Sequence, residues 1–165
     1  MADIAPELDT PTSLNRNDTR TVADALNLVL ADAYALYLKT KNYHWHVSGP
    51  HFRDYHLMLD DQAAQILAVT DVIAERVRKT GHTTLRSIGD IARRQQIRDD
   101  DRDFVPPHEM LANLREDNLR LVQTYRDARE KAEEAKDTAT SSLADEWIDQ
   151  AEERAWFLFE ASRRT

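Results

Sequence analysis

A chain of 165 residues has room for one domain that buries roughly 70% of its unfolded surface, and a second domain has no room. With 41% hydrophobic residues, 32% charged residues and 3 glycines, the composition favours amphipathic helices on short connections over sheet. The absence of Cys excludes disulfides, thiolate zinc sites and iron-sulfur clusters, so any metal must be held by nitrogen and oxygen, and a net charge of -8 opposes non-specific attraction to nucleic acid.

Residues 1 to 17 carry Pro6, Pro11 and scattered polar residues without periodicity and are expected to be a flexible tail. The domain is expected over 18–165. Its first helix should start at an Asp18 or Thr19 cap, because Val22, Leu26, Val29, Ala33, Leu36, Thr40 and His44 then line one face. A second helix should run from about Phe52 to Lys79, with Thr80-Gly81 as its stop. Residues 83–105 hold a short helical pattern near Ile88 to Gln96, and then the run RDDDRD, which reads as a solvated loop. Pro106 and Pro107 suit the first turn of a third long helix, with Leu111, Leu114, Asn118, Leu121, Tyr125, Ala128, Ala132 and Ala135 on its face. A fourth should begin at 138–140 and present Leu143, Trp147, Ala151, Arg154, Leu158 and Ala161. The predicted fold class is all-α, a four-helix bundle with a short extra helix in the long connection between helices two and three, as in ferritin-like bundles. The opening MADIAPELDT lacks a basic start and an apolar core, and no run reads as a span of the roughly 20 residues a bilayer needs. A cytoplasmic protein is expected.

Chemistry concentrates between Tyr43 and Glu75, where four of the 6 histidines lie beside carboxylates. His56 and Asp60, like Asp71 and Glu75, are spaced i,i+4, so each pair projects from adjacent turns of one helix face. With His56 at zero, Asp60, Asp71 and Glu75 fall at about 40°, 60° and 100° on the helical wheel. Along the axis, however, Asp60 and Asp71 are roughly 16 Å apart, against metal-ligand bonds of about 2 Å. One chain cannot close a site with both pairs. Antiparallel packing of two copies about a two-fold axis near Gln65 and Ile66 would bring Asp60 of one level with Asp71 of the other, giving two equivalent sites. Ala63, Ala64, Leu67 and Ala74 on this stripe would permit close approach. His46 and His51 lack such support and read as ordinary polar residues.

The stretch NYHWHVSGPHFRDYHLMLDDQ followed by DVIAER closely resembles the Dps family, the mini-ferritins named for DNA protection during starvation. The family pattern is a histidine before Trp, a second histidine twelve residues later, an Asp four beyond, and Asp-x-x-x-Glu ahead of Arg. His44, His56, Asp60, Asp71 and Glu75 match it position by position. The resemblance implies a hollow shell of twelve subunits that oxidises Fe(II), preferably with hydrogen peroxide and otherwise with dioxygen, at sites shared between two-fold-related subunits. Ferric mineral would be stored inside. His44 and His56 would be nitrogen ligands and Asp60 a carboxylate from one chain, with Asp71 and Glu75 from the other. Trp45 resembles the family tryptophan that intercepts oxidising equivalents, while Trp156 reads as a core residue. Mixed imidazole and carboxylate ligation suits iron, with zinc or manganese as competitors.

Asp137 stands where the family often has a pore acid, and Glu134 and Glu146 lie near it, making the three candidate pore residues. The resemblance also raises nucleoid association and, as an alternative function, DNA compaction with little iron chemistry. The tail has no Lys and the C-terminus only Arg163 and Arg164, too few for an extended phosphate-binding arm, so weak or absent DNA binding is expected. A conventional di-iron bundle interior needs Glu-x-x-His motifs, and none of the histidines has Glu three residues before it.

Overall fold

A computed structural model describes residues 4–163. Five α-helices follow a short 3-10 turn at Pro6–Leu8: α1 (Arg16–His46), α2 (Phe52–Lys79), α3 (Ile88–Arg94), α4 (Pro107–Glu134) and α5 (Thr138–Ser162), with no strand among the described residues. The four long helices form the expected bundle. α1 packs against α2 and α4, α5 packs against α4, and α3 crosses α1 within the long α2–α4 connection.

Every residue assigned from the sequence to the inner faces of α1 and α4 is buried. Val22, Leu26, Val29, Leu36, Leu59, Ile66, Ile73, Leu114, Leu121 and Leu158 have no measurable exposure and form the core. α1 is also long and apolar enough, by length and composition, to cross a bilayer, contrary to the sequence expectation that no run approaches this. That window is mostly buried against its neighbours, as the central helix of a bundle must be.

The start of α1 differs from the sequence reading. Asn15, rather than Asp18 or Thr19, is the cap, its side-chain oxygen accepting from the amides of Asn17 and Asp18. The segment before it is strapped down where it is described: Arg78 donates to the carbonyl of Leu8 and the hydroxyl of Thr10, and Asp9 pairs with Arg16. Gly81, at φ +87, lies so close to this segment that a Cβ would stand 3.2 Å from the Thr10 carbonyl oxygen.

The RDDDRD loop is not wholly solvated. Tyr43 is 1% exposed, and its buried hydroxyl needs a partner, which Asp100 supplies. Arg102 grips the same carboxylate through two nitrogens, and Asn42 donates to the Asp100 carbonyl. The Arg102 guanidinium and the Tyr43 hydroxyl hold the Asp100 carboxyl well below the usual range, against a smaller opposing effect of desolvation. Three turns earlier in α1, buried Asp32 accepts from the amides of Gln96 and Ile97, pinning the exit of α3.

Candidate metal centre

His44 ends the apolar stripe of α1, and the tight connection through Gly49, at φ +108, brings the first turns of α2 back beside it. The two imidazoles lock each other. Nδ1 of His44 lies 2.8 Å from the carbonyl oxygen of His56, and Nδ1 of His56 lies 2.8 Å from the carbonyl oxygen of His44. A carbonyl only accepts, so both Nδ1 atoms are the protonated ones in neutral rings, and both Nε2 atoms carry a free lone pair. The rings stack with centroids 3.8 Å apart and planes inclined by 22°. Asp60, one turn beyond His56, brings Oδ1 to 3.8 Å from Nε2 of His44. Imidazole nitrogen and carboxylate oxygen are the donor types a borderline divalent ion takes, and orienting hydrogen bonds of this kind are what hold a metal-ligating histidine in place.

Asp60 does not face this space alone. The ammonium of Lys41, on α1 one turn before His44, lies 2.7 Å from its Oδ1. This contact, before the nearby histidines, holds the Asp60 carboxyl below its usual range. Lys41 was missed in the sequence, although its i,i+3 spacing to His44 puts it on the same face.

The other two expected ligands stand elsewhere on α2. Asp71 is exposed, with no side-chain partner among the described residues, and Glu75 pairs only with exposed Lys79 at 3.0 Å. Among the described residues, no three His, Cys, Asp or Glu side chains of the single chain gather to hold a metal. Around these acids the expected small-residue stripe is partly displaced. Ala63 is 1% exposed and turns into the bundle, because its angle of about -20° on the wheel lies past the edge of the outer face. Ala74 is half-buried, and the exposed residues beside the acids are Ala64, Leu67, Ala68 and Val72.

Trp45 is 58% exposed beside the histidines, with the Lys41 ammonium 5.9 Å from its ring. Trp156, read from the sequence as core, is instead exposed and meets Phe157 edge to face. His46 turns back on its own helix, its Nδ1 lying 2.8 Å from the carbonyl of Asn42, and takes no part in the site. Glu134, at the end of α4, and Glu146, more than two turns into α5, are exposed. Asp137 is not. Its carboxylate is 1% exposed, caps α5 through the amide and hydroxyl of Thr140, and pairs with Arg76.

The ferritin-like domain family matches residues 23–163 of the chain. The DNA protection during starvation protein 1 of Deinococcus radiodurans is 32% identical over 145 residues, covering 88% of this chain and 70% of its own. The chain belongs to the Dps family of ferritin-like proteins. A second relative, the DNA protection during starvation protein of Agrobacterium fabrum, is 31% identical over 90% of this chain and 92% of its own. The solved structure of DpsC from Streptomyces coelicolor superposes with a TM-score of 0.90 at 28% identity, covering 94% of this chain and 91% of that one. In this Dps-family chain, then, the paired histidines and Asp60 sit at one end of a ferritin-like bundle.

Proposed function

We propose that the chain is the subunit of a hollow homo-oligomer, twelve subunits by the family pattern, that oxidises Fe(II) and stores ferric mineral. The reading rests chiefly on one observation: both Nε2 lone pairs of His44 and His56 are held open, that of His44 3.8 Å from Asp60 Oδ1, while the further acids Asp71 and Glu75 face outward on the same helix. Half a site lies at each end of α2, and a two-fold copy in antiparallel register supplies the missing half. Leu67 and Val72, exposed beside the acids, give that contact an apolar component.

With hydrogen peroxide as oxidant, two Fe(II) each give up one electron, the peroxide O–O bond breaks, and two protons complete two waters. Fe(II) here is substrate and cargo. His44, His56 and Asp60 bind and orient it, and Trp45 stands close enough to give an electron to a stray oxidising equivalent. The protection of DNA named for the relatives would on this reading be chemical, because iron and peroxide are consumed together. Compaction of DNA has less support, given the charge of -8 and an N-terminal tail without Lys. Twelve chains would carry 12 × -8 = -96 charges, and exposed Glu134 and Glu146 suit an acidic passage for cations. Asp137 is left out of that passage, since its carboxylate is committed to Arg76 and Thr140 within the subunit.

The test is complementation. A His44→Ala, His56→Ala chain and an Asp71→Ala, Glu75→Ala chain should each oxidise Fe(II) poorly. In a mixed dimer one of the two sites is built wholly from intact ligands, so co-assembled shells should regain activity in proportion to their mixed interfaces. Shells assembled separately and then mixed should not. Verified mixed shells that stay inactive would mean that each site lies within one chain, and the shared-site reading would fall.

A further inference from the structure

The space between Nε2 of His44 and Oδ1 of Asp60 is spanned by 3.8 Å. An ion bound to both atoms by bonds of about 2.1 Å fits between them with a wide angle. The same Oδ1 atom already has a cation on it. The Lys41 ammonium sits 2.7 Å away with its side chain only 17% exposed, an unusual degree of burial for a lysine. No competing carboxylate draws it elsewhere: its described partners are Asp60 and, at 5.9 Å, the face of Trp45. A positive charge within hydrogen-bond distance of a ligand oxygen repels any divalent ion that approaches that oxygen and competes with it for the same lone pairs. The Trp45 ring offers the displaced ammonium a second position within reach of the same flexible stem.

We propose that Lys41 is the resident counter-ion of this site, holding Asp60 when no metal is present, swinging toward Trp45 when one binds, and so keeping metal affinity low enough for iron to pass on. The proposal rests on the metal-site reading above. It gives the site a physical reason to turn over: a store that oxidises and hands on its cargo gains nothing from ligands that never release it. The charge matters, and the shape does not.

The experiment uses the full assembled chain with Zn(II), which is redox-inert, titrated by calorimetry, and Co(II), followed by visible absorption. Lys41→Met and Lys41→Gln should each tighten zinc binding about tenfold or more. Their cobalt bands should keep the wild-type positions, because the ligand set is unchanged. Lys41→Arg, which keeps the charge, should bind zinc within about threefold of wild type. Unchanged or weaker zinc binding in both neutral variants would overturn the counter-ion role. The metal site itself would stand in that case, provided the His44→Ala, His56→Ala chain loses zinc and cobalt binding. A wild-type chain that binds neither metal would overturn both readings.

Discussion

Two polar clusters in this bundle serve opposite ends. Inside, the Arg154 guanidinium is 3% exposed and donates to Asn118 Oδ1 at 2.8 Å and to Gln65 Oε1 at 2.7 Å, tying α5 to α4 and α2. Nearby, burial pushes the Tyr125 hydroxyl up to about 12, and desolvation lowers the Arg154 guanidinium from its usual value. Two of the Arg154 nitrogens meet acceptors there, and the guanidinium is committed to structure. At the other site the histidine Nδ1 atoms are committed, yet both Nε2 atoms are left open and the nearest carboxylate is held by a displaceable lysine. Polar burial alone does not mark function in this molecule. On the function proposed above, open valence on a locked side chain does, and it separates the outer cluster from a bundle interior in which the Arg154 guanidinium sits between the helices.

The contrast predicts opposite phenotypes. The largest effect should come from His44→Ala with His56→Ala, which should slow Fe(II) oxidation more than about a hundredfold while lowering the thermal midpoint only moderately, since the buried His44 ring loses its stack with His56 and the two cross-helix hydrogen bonds but the apolar core stays filled. Stopped-flow iron oxidation beside a thermal melt checks both halves, and a large loss of stability would blur the distinction. Arg154→Ala should do the reverse. It leaves the Asn118 and Gln65 oxygens without their donor and opens a cavity, costing about 3 kcal/mol of stability. Oxidation per assembled shell should stay near wild type. Denaturant unfolding together with the same kinetic assay measures it, and a variant that loses oxidation without losing stability would place Arg154 in the chemistry instead.

Much of this contrast can be read from residue spacing. Helical periodicity locates Arg154 and Asn118 on inner faces and His44 at the end of one, because a 3.6-residue repeat records burial directly. It also puts Asp60, Asp71 and Glu75 on a common outer face. What periodicity does not record is the far end of a long side chain. Lys41 draws no notice in the sequence, because its contact with Asp60 depends on the return of the chain through Gly49, a tertiary event. Asp137 fails for a related reason: a helix-start acid looks exposed until Arg76, 61 residues earlier, is found against it. Ala63 lies within a residue of the boundary between faces, where an ideal wheel has no resolving power. Trp156 shows the converse error, a large aromatic assigned inward that the bundle leaves outside.

The smallest predicted effect concerns a third histidine, which sharpens the comparison because it is buried and structural. His82 is 7% exposed, and its Nε2 lies 3.0 Å from the Thr19 hydroxyl, joining the turn after α2 to the start of α1. Arg78 of α2 donates to its carbonyl at 2.7 Å. Burial first, then the charges of Arg20 and Arg16, lower its pKa from 6.5, and Asp24 opposes them weakly. A base whose folded pKa lies below its unfolded value takes up its proton in the unfolded chain first. Its contribution to stability is therefore complete above pH 6.5 and is lost as pH falls from there through the folded value. At fixed protein concentration, the urea midpoint should drop between about pH 7 and pH 5. His82→Gln keeps a side-chain donor for Thr19 but cannot titrate, so its profile over that window should be flatter than wild type. An equally steep profile in the variant would assign the acid sensitivity to other groups.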